Sequence, residues 1–431
     1  MKCVSTRQGI APVSLSTALS AGLAPDGGLY VPAEALPQVV FSNGPHSIAS
    51  VGKTLLTPLF ADDGLAAHLN GICDNAFTFD APLNQLGDSQ THLLELFHGP
   101  TAAFKDFGAR FLAECLSRLK QPGESPTTIL VATSGDTGAA VASAFHRRPG
   151  FSVVILYPDG RVSPRQAHGL GCFGDNISAL KVAGTFDDCQ ALVKRALQHP
   201  ELAQQLHLSS ANSISLGRLL PQMTYFARAS LQFHERTGQL LNVCVPTGNL
   251  GNALACVLAK KMGLPVGDIV LATNANKVLP DFFAGGAYAP GATMATLANA
   301  MDVGAPSNFE RLRWLVPEEK LRTELRAFSV SDAEIRQTIA STFQKFQRVI
   351  CPHTATAVQV VEQLRRQGDT RPWAVASTAH PAKFETVVEP LIGAPVPVPQ
   401  LLAESLARPA SAVSMKPEFE GFVSFLRSQR A

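Results

Sequence analysis

A single lysine lies among aromatic side chains in the stretch ELFHGPTAAFKDF, residues 95–107. Lys105 has Phe104 and Phe107 as near neighbours. An ammonium group is costly to remove from water, so apolar surroundings lower the pKa of a lysine amine. The neutral amine can then form an imine with an aldehyde. Taken alone, the pattern is most often that of an ordinary half-exposed helical lysine. The alternative is a reactive amine, which Phe104 and Phe107 would keep dry.

Small polar residues follow several apolar, β-rich runs of the chain. Such loops collect ligands when they lie at the carboxyl ends of parallel strands. Their glycines let the backbone approach a ligand, and their serines and threonines offer hydroxyl groups. The loops are TSGDTGA at 133–139, PTGNLGN at 246–252 and ASTAHPAKF at 376–384.

The loop at 246–252 has the character of a phosphate cradle. Gly248 and Gly251 lead directly into a predicted helix, whose free amides and positive dipole end favour an anion. The loop has neither the GK[ST] of a Walker motif nor the GxGxxG spacing of dinucleotide folds. A tight turn without a ligand is the alternative. A phosphate cradle together with an imine-forming lysine points to pyridoxal 5′-phosphate (PLP).

The elements that must position these loops alternate along the chain. Apolar runs followed by helical stretches predict parallel strands covered on both faces, and therefore an α/β fold. The segment 317–367 is predicted to be helical, with Ser331 as an N-cap. The predicted strands are 127–133, 152–158, 179–184, 240–247, 268–274 and 372–378.

Composition excludes several classes of protein. The 431 residues carry a net charge of only +2, which does not favour nucleic acid or an acidic membrane as a partner. Eight cysteines are scattered singly, as expected of reduced core residues in a cytosolic protein. No signal-peptide pattern and no apolar run of about 18 residues occurs, so we expect a soluble, cytoplasmic protein. Neither metal-ligand spacing nor a G-x-S-x-G elbow is found, and no metal is expected.

Several motifs together resemble the threonine synthase family, which belongs to PLP fold type II. They are STRQGIAPVSLSTALSAGLAPDGGLYVP, HGPTAAFKDF, ATSGDTGAAVA, NSISLGRLLPQ, VPTGNLGNALA, CPHTATAV and STAHPAKF. The resemblance runs nearly end to end. It implies an α/β architecture in which two open, mostly parallel-sheet domains hold the active site between them, preceded by an N-terminal domain.

The resemblance also implies domain boundaries. The N-terminal domain would cover residues 1–90 and the PLP-binding core residues 91–395. Within the core, a smaller mobile subdomain would span about 91–185 and a larger one about 186–395. A linker and a C-terminal helix would occupy residues 396–431.

The implied activity is that of a PLP-dependent carbon–oxygen lyase acting on a phosphate ester. It would convert O-phospho-L-homoserine and water to L-threonine and phosphate, the last step of threonine biosynthesis, in the cytoplasm. The expected partner is the small-molecule substrate O-phospho-L-homoserine, and neither nucleic acid nor a membrane is expected as a partner. The protein would be a monomer or homodimer. Two alternatives stay open: a phospholyase or dehydratase of the same fold that releases a 2-oxo acid, and a non-catalytic PLP-fold binding protein.

By the same resemblance, the cofactor-binding residues can be named. Lys105 would hold PLP as a Schiff base and remove the Cα proton of the substrate, and Thr378 would bond the ring nitrogen. Asp136 would lie on the side of the ring that carries the O3′ oxygen. The cofactor phosphate would be held by the loop of Gly248, Asn249, Leu250, Gly251 and Asn252.

The resemblance divides the substrate-binding residues into two groups. Ser134, Gly135 and Thr137 would line the substrate carboxylate. Asn212, Ser213 and Arg218 would bind the substrate phosphate, for which a guanidinium fork is well suited. Ser215 stands where many members of the family have asparagine. At this position the phosphate pocket departs from the family pattern.

Overall fold

Strands that alternate with helices make up most of the chain. The computed structural model describes residues 1–42, 44, 46–87 and 90–429. In these ranges the strands are β1 Lys2–Ser5, β2 Val13–Ser14, β3 Tyr30–Pro32, β4 Leu83–Gln85, β5 Thr91–Glu95, β6 Thr127–Ala132, β7 Phe151–Pro158, β8 Ile177–Val182, β9 Leu208–Ser210, β10 Leu241–Pro246, β11 Val266–Thr273, β12 Leu325–Ser329, β13 Trp373–Ser377 and β14 Val413–Met415.

The helices between these strands are mostly short. They are α1 Leu15–Ala21, α2 Ile48–Phe60, α3 Leu69–Ala76, α4 Lys105–Leu119, α5 Asp136–Phe145, α6 Pro164–Gly171, α7 Phe186–Leu197, α8 Pro200–Gln205, α9 Leu216–Leu219, α10 Met223–Thr237, α11 Gly251–Lys261, α12 Val278–Phe283, α13 Phe309–Leu315, α14 Glu318–Glu324, α15 Asp332–Phe346, α16 Pro352–Arg366, α17 Glu385–Ile392, α18 Gln400–Leu406 and α19 Phe419–Ser428. Short 3₁₀ turns cover Ala66–His68, Leu220–Gln222, Asn299–Met301 and Pro381–Phe384.

The larger sheet has the strand order β12-β11-β10-β13-β5-β4 and is parallel except for the β4–β5 pair. Successive residues of its central strands point to opposite faces. Val243 and Ala374 pack in the core that includes α10 and α11, whereas Cys244 and Val375 pack in the core that includes α16. Burial on both faces explains why these strands are apolar throughout.

The second parallel sheet has the order β14-β8-β7-β6-β9. Ile129 and Ile155 pack on one face with residues of α4 and α5. Leu130 and Leu156 pack on the other face with residues of α7 and of the C-terminal helix α19. The amino-terminal strands form a separate antiparallel sheet in the order β2-β1-β3.

The predicted α/β class is confirmed, and each of the six predicted strands is present within two residues of its expected bounds. Ser331 caps α15 in a full capping box with Glu334, as predicted. The segment 317–367, predicted to be helical, holds α14, α15 and α16, but the prediction missed β12, which pairs with β11. This strand is short and depends on a partner that lies about fifty residues earlier, so local pattern did not reveal it.

The predicted domain boundaries stay a prediction, and residues 430 and 431 of the predicted C-terminal segment lie outside the described residues. Sheet membership does not follow chain order: β5 pairs with β13 in the larger sheet, and β9 and β14 complete the smaller one. Among the described residues, no helix has both the length and the apolar character needed to cross a bilayer. All eight cysteines are buried free thiols, as expected.

Candidate active site

A cavity of about 330 Å³ is lined by residues that follow strands of both parallel sheets. Its wall includes the loops after β6, β10 and β13, whose carboxyl ends meet here. Twelve of the fourteen predicted site residues line it: Lys105, Ser134, Asp136, Thr137, Asn212, Ser213, Arg218, Gly248, Asn249, Gly251, Asn252 and Thr378. Sequence positions that are far apart therefore converge on a common space.

Lys105 is the first residue of α4 and its amine faces the cavity. The preceding turn is fixed because Asp106 accepts hydrogen bonds from the Thr101 amide at 2.9 Å and the Thr101 hydroxyl at 2.7 Å. The Phe104 amide donates to the Thr378 carbonyl at 2.8 Å, which joins this turn to the end of β13. The turn and the strand end thus hold Lys105 and Thr378 in a fixed relation.

The Lys105 Nζ has no hydrogen-bond or ion-pair partner in the described part of the chain, and lies 5.7 Å from the centre of the Phe104 ring. Burial lowers the pKa of its amine to about 8. The negative charge of Asp136 raises this pKa, and the positive charges of Arg218 and Lys383 lower it. A lysine without a partner and with a lowered pKa has the properties needed for imine formation.

Only one of the two phenylalanines predicted to keep the amine dry lies at the cavity. Phe104 lines it, as expected. Phe107 instead packs in the hydrophobic core, with its ring 4.6 Å from Phe79 and 5.1 Å from Tyr225 between centroids. The prediction for Phe107 is wrong, because two residues along a helix turn a side chain through roughly 200° to the opposite face.

The loop between β10 and α11 presents backbone to the cavity. A Cβ at Gly248 would lie 2.7 Å from the Met301 backbone, so only glycine fits at this position. Leu250 adopts a left-handed backbone conformation and its side chain packs in the core, away from the cavity. The first amides of α11 have no intrahelical carbonyl to bond and carry the positive end of the helix dipole.

Two asparagine side chains fix the shape of this loop. The Asn249 Nδ2 donates to the Ser213 hydroxyl at 2.6 Å, and its Oδ1 accepts from the Ser307 amide at 2.5 Å. The Asn252 Oδ1 accepts from the Thr247 hydroxyl at 2.8 Å, and its Nδ2 donates to the Pro246 carbonyl at 2.8 Å. Because the side chains bond protein groups, the backbone amides are the donors left for a ligand.

The loop between β6 and α5 is shaped by Thr133. Its hydroxyl accepts hydrogen bonds from the amides of Gly135 at 3.0 Å and Gly138 at 3.1 Å. Gly135 has a φ of +142°, and a Cβ there would lie 2.5 Å from the Gln166 side chain. Gly135 itself does not line the cavity. Its conformation turns Ser134, Asp136 and Thr137 toward the cavity wall.

The carboxylate of Asp136 is buried and pairs with a second buried lysine, Lys383, at 2.7 Å. Sequence reasoning missed Lys383 as a site residue, although it lies inside the AHPAKF motif. A lysine in an apolar stretch was the signal that singled out Lys105, and the same signal was present here.

The region predicted to hold the substrate phosphate contains buried polar atoms without partners. These atoms, judged among the described residues, are Asn212 Oδ1, Ser215 Oγ and Arg218 Nε. Arg218 is held by one bond, from Nη1 to the Ala211 carbonyl at 2.6 Å, and burial lowers its pKa to about 10. Buried polar groups normally find partners, so these atoms indicate a ligand-binding region.

His353, within the motif CPHTATAV, also lines the cavity, although the sequence assigned it no role. Its Nε2 accepts a hydrogen bond from the Ala300 amide at 3.0 Å, which requires that nitrogen to be unprotonated. Burial lowers the pKa of His353 to about 4, so the ring is neutral at physiological pH. Arg7, Gly27 and Leu29 show that the amino-terminal segment reaches the same cavity.

The donor set suits PLP. It combines an amine without a partner among the described residues, the free amides at the start of α11, and a hydroxyl residue, Thr378, at a strand end. These groups match the aldehyde, the phosphate and the ring nitrogen of the cofactor. No cluster of three potential metal ligands occurs in the described ranges.

Comparisons with known proteins cover the whole chain. Family models match at residues 2–77 (threonine synthase N terminus), 82–380 (pyridoxal-phosphate dependent enzyme) and 354–424 (threonine synthase, C-terminal). Threonine synthase of Haemophilus influenzae is 40% identical over 418 residues, covering 96% of both chains.

Solved structures of threonine synthases are similar to this chain over its full length. The Escherichia coli threonine synthase structure has a TM-score of 0.91 and 38% identity, and the match covers 99% of this chain and 100% of that one. The PLP-bound threonine synthase of Brucella melitensis has a TM-score of 0.89 and 35% identity, with full coverage of both chains. The chain belongs to the threonine synthase family of PLP-dependent enzymes.

Proposed function

We propose that this enzyme converts O-phospho-L-homoserine and water to L-threonine and inorganic phosphate, with PLP attached to Lys105. The observation that carries the proposal is the cavity itself. It combines an amine without a partner, a loop of helix N-terminal amides, and a buried Arg218 whose Nε has no partner among the described residues. These features provide two separate regions for phosphate groups, one for the cofactor and one for the substrate.

Lys105 is proposed to bind the cofactor covalently and then to move protons at the substrate carbons. Its neutral amine, favoured by a pKa of about 8, can accept the proton of Cα. When bound, PLP supplies a conjugated ring that withdraws electron density from the carbons next to the substrate amine. A proton would then leave Cβ, the phosphate would leave Cγ with the bonding electrons, and Cγ would take up a proton. After the hydroxyl of water has been added at Cβ, Lys105 would return a proton to Cα.

The remaining cofactor contacts are proposed from the groups at the cavity wall. The amides of residues 248–252 would hold the cofactor phosphate, as helix N-termini do for anions. Thr378 would bond the ring nitrogen, and its neutral hydroxyl would leave that nitrogen largely unprotonated. Asp136 would lie on the O3′ side, where its charge bears on Lys105.

Substrate recognition is proposed to use two groups of residues. Ser134 and Thr137 line the cavity where a helix begins, which favours the substrate carboxylate, and Gly135 would act by shaping this loop. Arg218 would bind the phosphate that leaves Cγ, with Asn212 and Ser213 beside it. A guanidinium matches a phosphate dianion in charge and in fork geometry.

We further propose that the enzyme acts in the cytoplasm as a monomer or homodimer. Eight free cysteines suit a reducing compartment. We also propose that the five-stranded sheet and its helices move as a smaller body around the substrate, since the chemistry must exclude stray water before the addition step.

The test is product identification from purified holoenzyme and O-phospho-L-homoserine. We expect threonine and phosphate in equal amounts and no activity in Lys105→Ala. Lys260→Ala is the matched control, because the Lys260 amine bonds the Gly267 carbonyl at 2.7 Å outside the cavity. A 2-oxo acid as the main product would instead assign a phospholyase, and a purified protein without PLP absorbance would contradict the cofactor assignment.

A further inference from the structure

The ion pair of Asp136 and Lys383 is the most deeply buried one near the cavity, and each side chain is at most 4% exposed. The Lys383 Nζ contacts Asp136 Oδ1 at 2.7 Å and also donates to the Thr101 carbonyl at 2.8 Å. The Gln166 Nε2 donates to the same Oδ1 at 3.0 Å. Lys383 and Gln166 both contact Oδ1 of Asp136, and neither of them contacts Oδ2.

This pair joins the two parallel sheets. Asp136 begins the helix after β6 of the smaller sheet, and Lys383 lies in the turn after β13 of the larger one. The same turn is bonded by the segment that begins α6: the Ser163 hydroxyl donates to the Lys383 carbonyl at 2.6 Å, and Arg165 Nη1 donates to the Ala382 carbonyl at 2.6 Å. The ammonium therefore reaches Asp136 only when the two sheets are together.

The charges around Asp136 favour its ionised form. Burial by itself raises the pKa of this carboxyl, but Lys383, then Lys105 and His353, outweigh it and hold the pKa well below its usual range. His353 is neutral and Lys105 is the proposed cofactor lysine, so Lys383 is the cation that holds a fixed contact with the carboxylate. Asp106 is the other buried carboxyl nearby, and it is already bonded by Thr101.

We propose that Lys383 is a positioning residue: its ammonium keeps the Asp136 carboxylate charged and directed toward the cofactor region beside Lys105. Lys383 itself does not line the cavity, so its effect is exerted through Asp136, which does. Without its charge, the buried carboxylate loses its principal partner and takes up a proton. This inference rests on the proposed attachment of PLP to Lys105.

The test is a pH titration of the bound-cofactor absorbance in the holoprotein, over about pH 5 to 9. Lys383→Gln removes the charge and keeps a polar N–H donor on a slightly shorter side chain. We expect it to show an additional transition, which wild type lacks, as Asp136 takes up a proton. The double variant K383Q/D136N should lose that transition, and Lys383→Arg should restore the wild-type profile. Lys260→Gln is the control for removal of a lysine elsewhere.

A K383Q profile identical to wild type would overturn the proposal. Absence of the absorbance band from wild type would instead overturn the proposed function, so the two failures are distinguishable. If K383Q does not fold, PLP affinity is measured for K383R and K383Q/D136N by fluorescence titration of the apoprotein. We expect wild-type affinity in the first and a loss of about 10-fold or more in the second. Equal affinities would count against the proposal.

Discussion

Lys105 and Lys383 are buried lysines in opposite situations. The first has no ion-pair or hydrogen-bond partner in the described residues, and burial lowers its pKa to about 8. The second contacts a carboxylate at 2.7 Å and a carbonyl at 2.8 Å. A reactive amine needs to be free of fixed partners, whereas a buried ammonium needs them to offset its desolvation. Environment, rather than residue type, separates the two roles.

The lowered pKa of Lys105 predicts how PLP capture by the apoprotein depends on pH. Capture requires the neutral amine, so its rate should rise with pH and level off above about 8, where most of the amine is neutral. Stopped-flow absorbance after mixing apoprotein with PLP measures this rate. A rate that still rises about tenfold per pH unit up to about pH 10, as for a free lysine, would contradict the prediction. Lys105→Arg should give no covalent capture.

Arg218 is predicted to act on the substrate and not on the cofactor. Arg218→Lys keeps the charge but removes the fork, so we expect the KM for O-phospho-L-homoserine to rise about 10- to 100-fold, as for a lost charged hydrogen bond. PLP affinity should stay within about twofold of wild type. Steady-state kinetics and fluorescence titration measure the two quantities.

Arg228→Lys is the matched control for that substitution. Arg228 also donates to main-chain carbonyls, those of His46 and Ala81, but it does not line the cavity. Its substitution should leave KM unchanged. An equal rise of KM in both variants would show that the effect of Arg218 is structural.

At the scale of elements, the positions of strands and loops were predicted most accurately where a strand, a glycine-rich loop and a helix follow one another. The loops at 133–139 and 246–252 lie where expected, after β6 and β10. Local pattern failed for β5 and β12, whose pairing partners lie far away in the chain. It also missed Lys383, because its partner Asp136 belongs to the other sheet and the pair exists only in the assembled fold.

The loop after β10 gives a prediction about glycine. Gly248→Ala would place a Cβ 2.7 Å from the Met301 backbone, so the loop or the Met301 segment must shift. We expect PLP affinity to fall at least about tenfold and the melting temperature to drop. Gly251→Ala is the control for stability, since its Cβ would have ordinary contacts from 3.6 Å outward. Equal melting temperatures for the two variants would refute the steric argument.

At the scale of the whole molecule, both parallel sheets are completed by strands from distant parts of the chain. The larger sheet pairs β5 with β13, and the smaller one pairs β8 with β14. The C-terminal helix α19 then covers one face of the smaller sheet, with Phe422 fully buried there. Helix α19 is therefore part of a core and not an appendage to it.

This arrangement predicts that α19 contributes to global stability. Phe422→Ala should lower the free energy of unfolding by about 3–5 kcal/mol, as for other buried aromatic truncations. Phe425→Ala is the control, because Phe425 lies on the same helix but is only partly buried, and its loss should cost clearly less. Chemical denaturation of both apoproteins measures the difference. Similar losses would show that α19 does not pack as described.

The pairing of β5 with β13 also bears on how the protein is made. Thr91 lies opposite Trp373, so the early strand has no neighbour on that side until the chain has been made as far as residue 373. The smaller sheet is completed later still, since its strand β14 begins at Val413. Both sheets therefore stay incomplete until these late strands have been made, and exposed strand edges persist meanwhile. We expect nascent chains stalled before residue 373 to depend on chaperones and to be cut readily by protease.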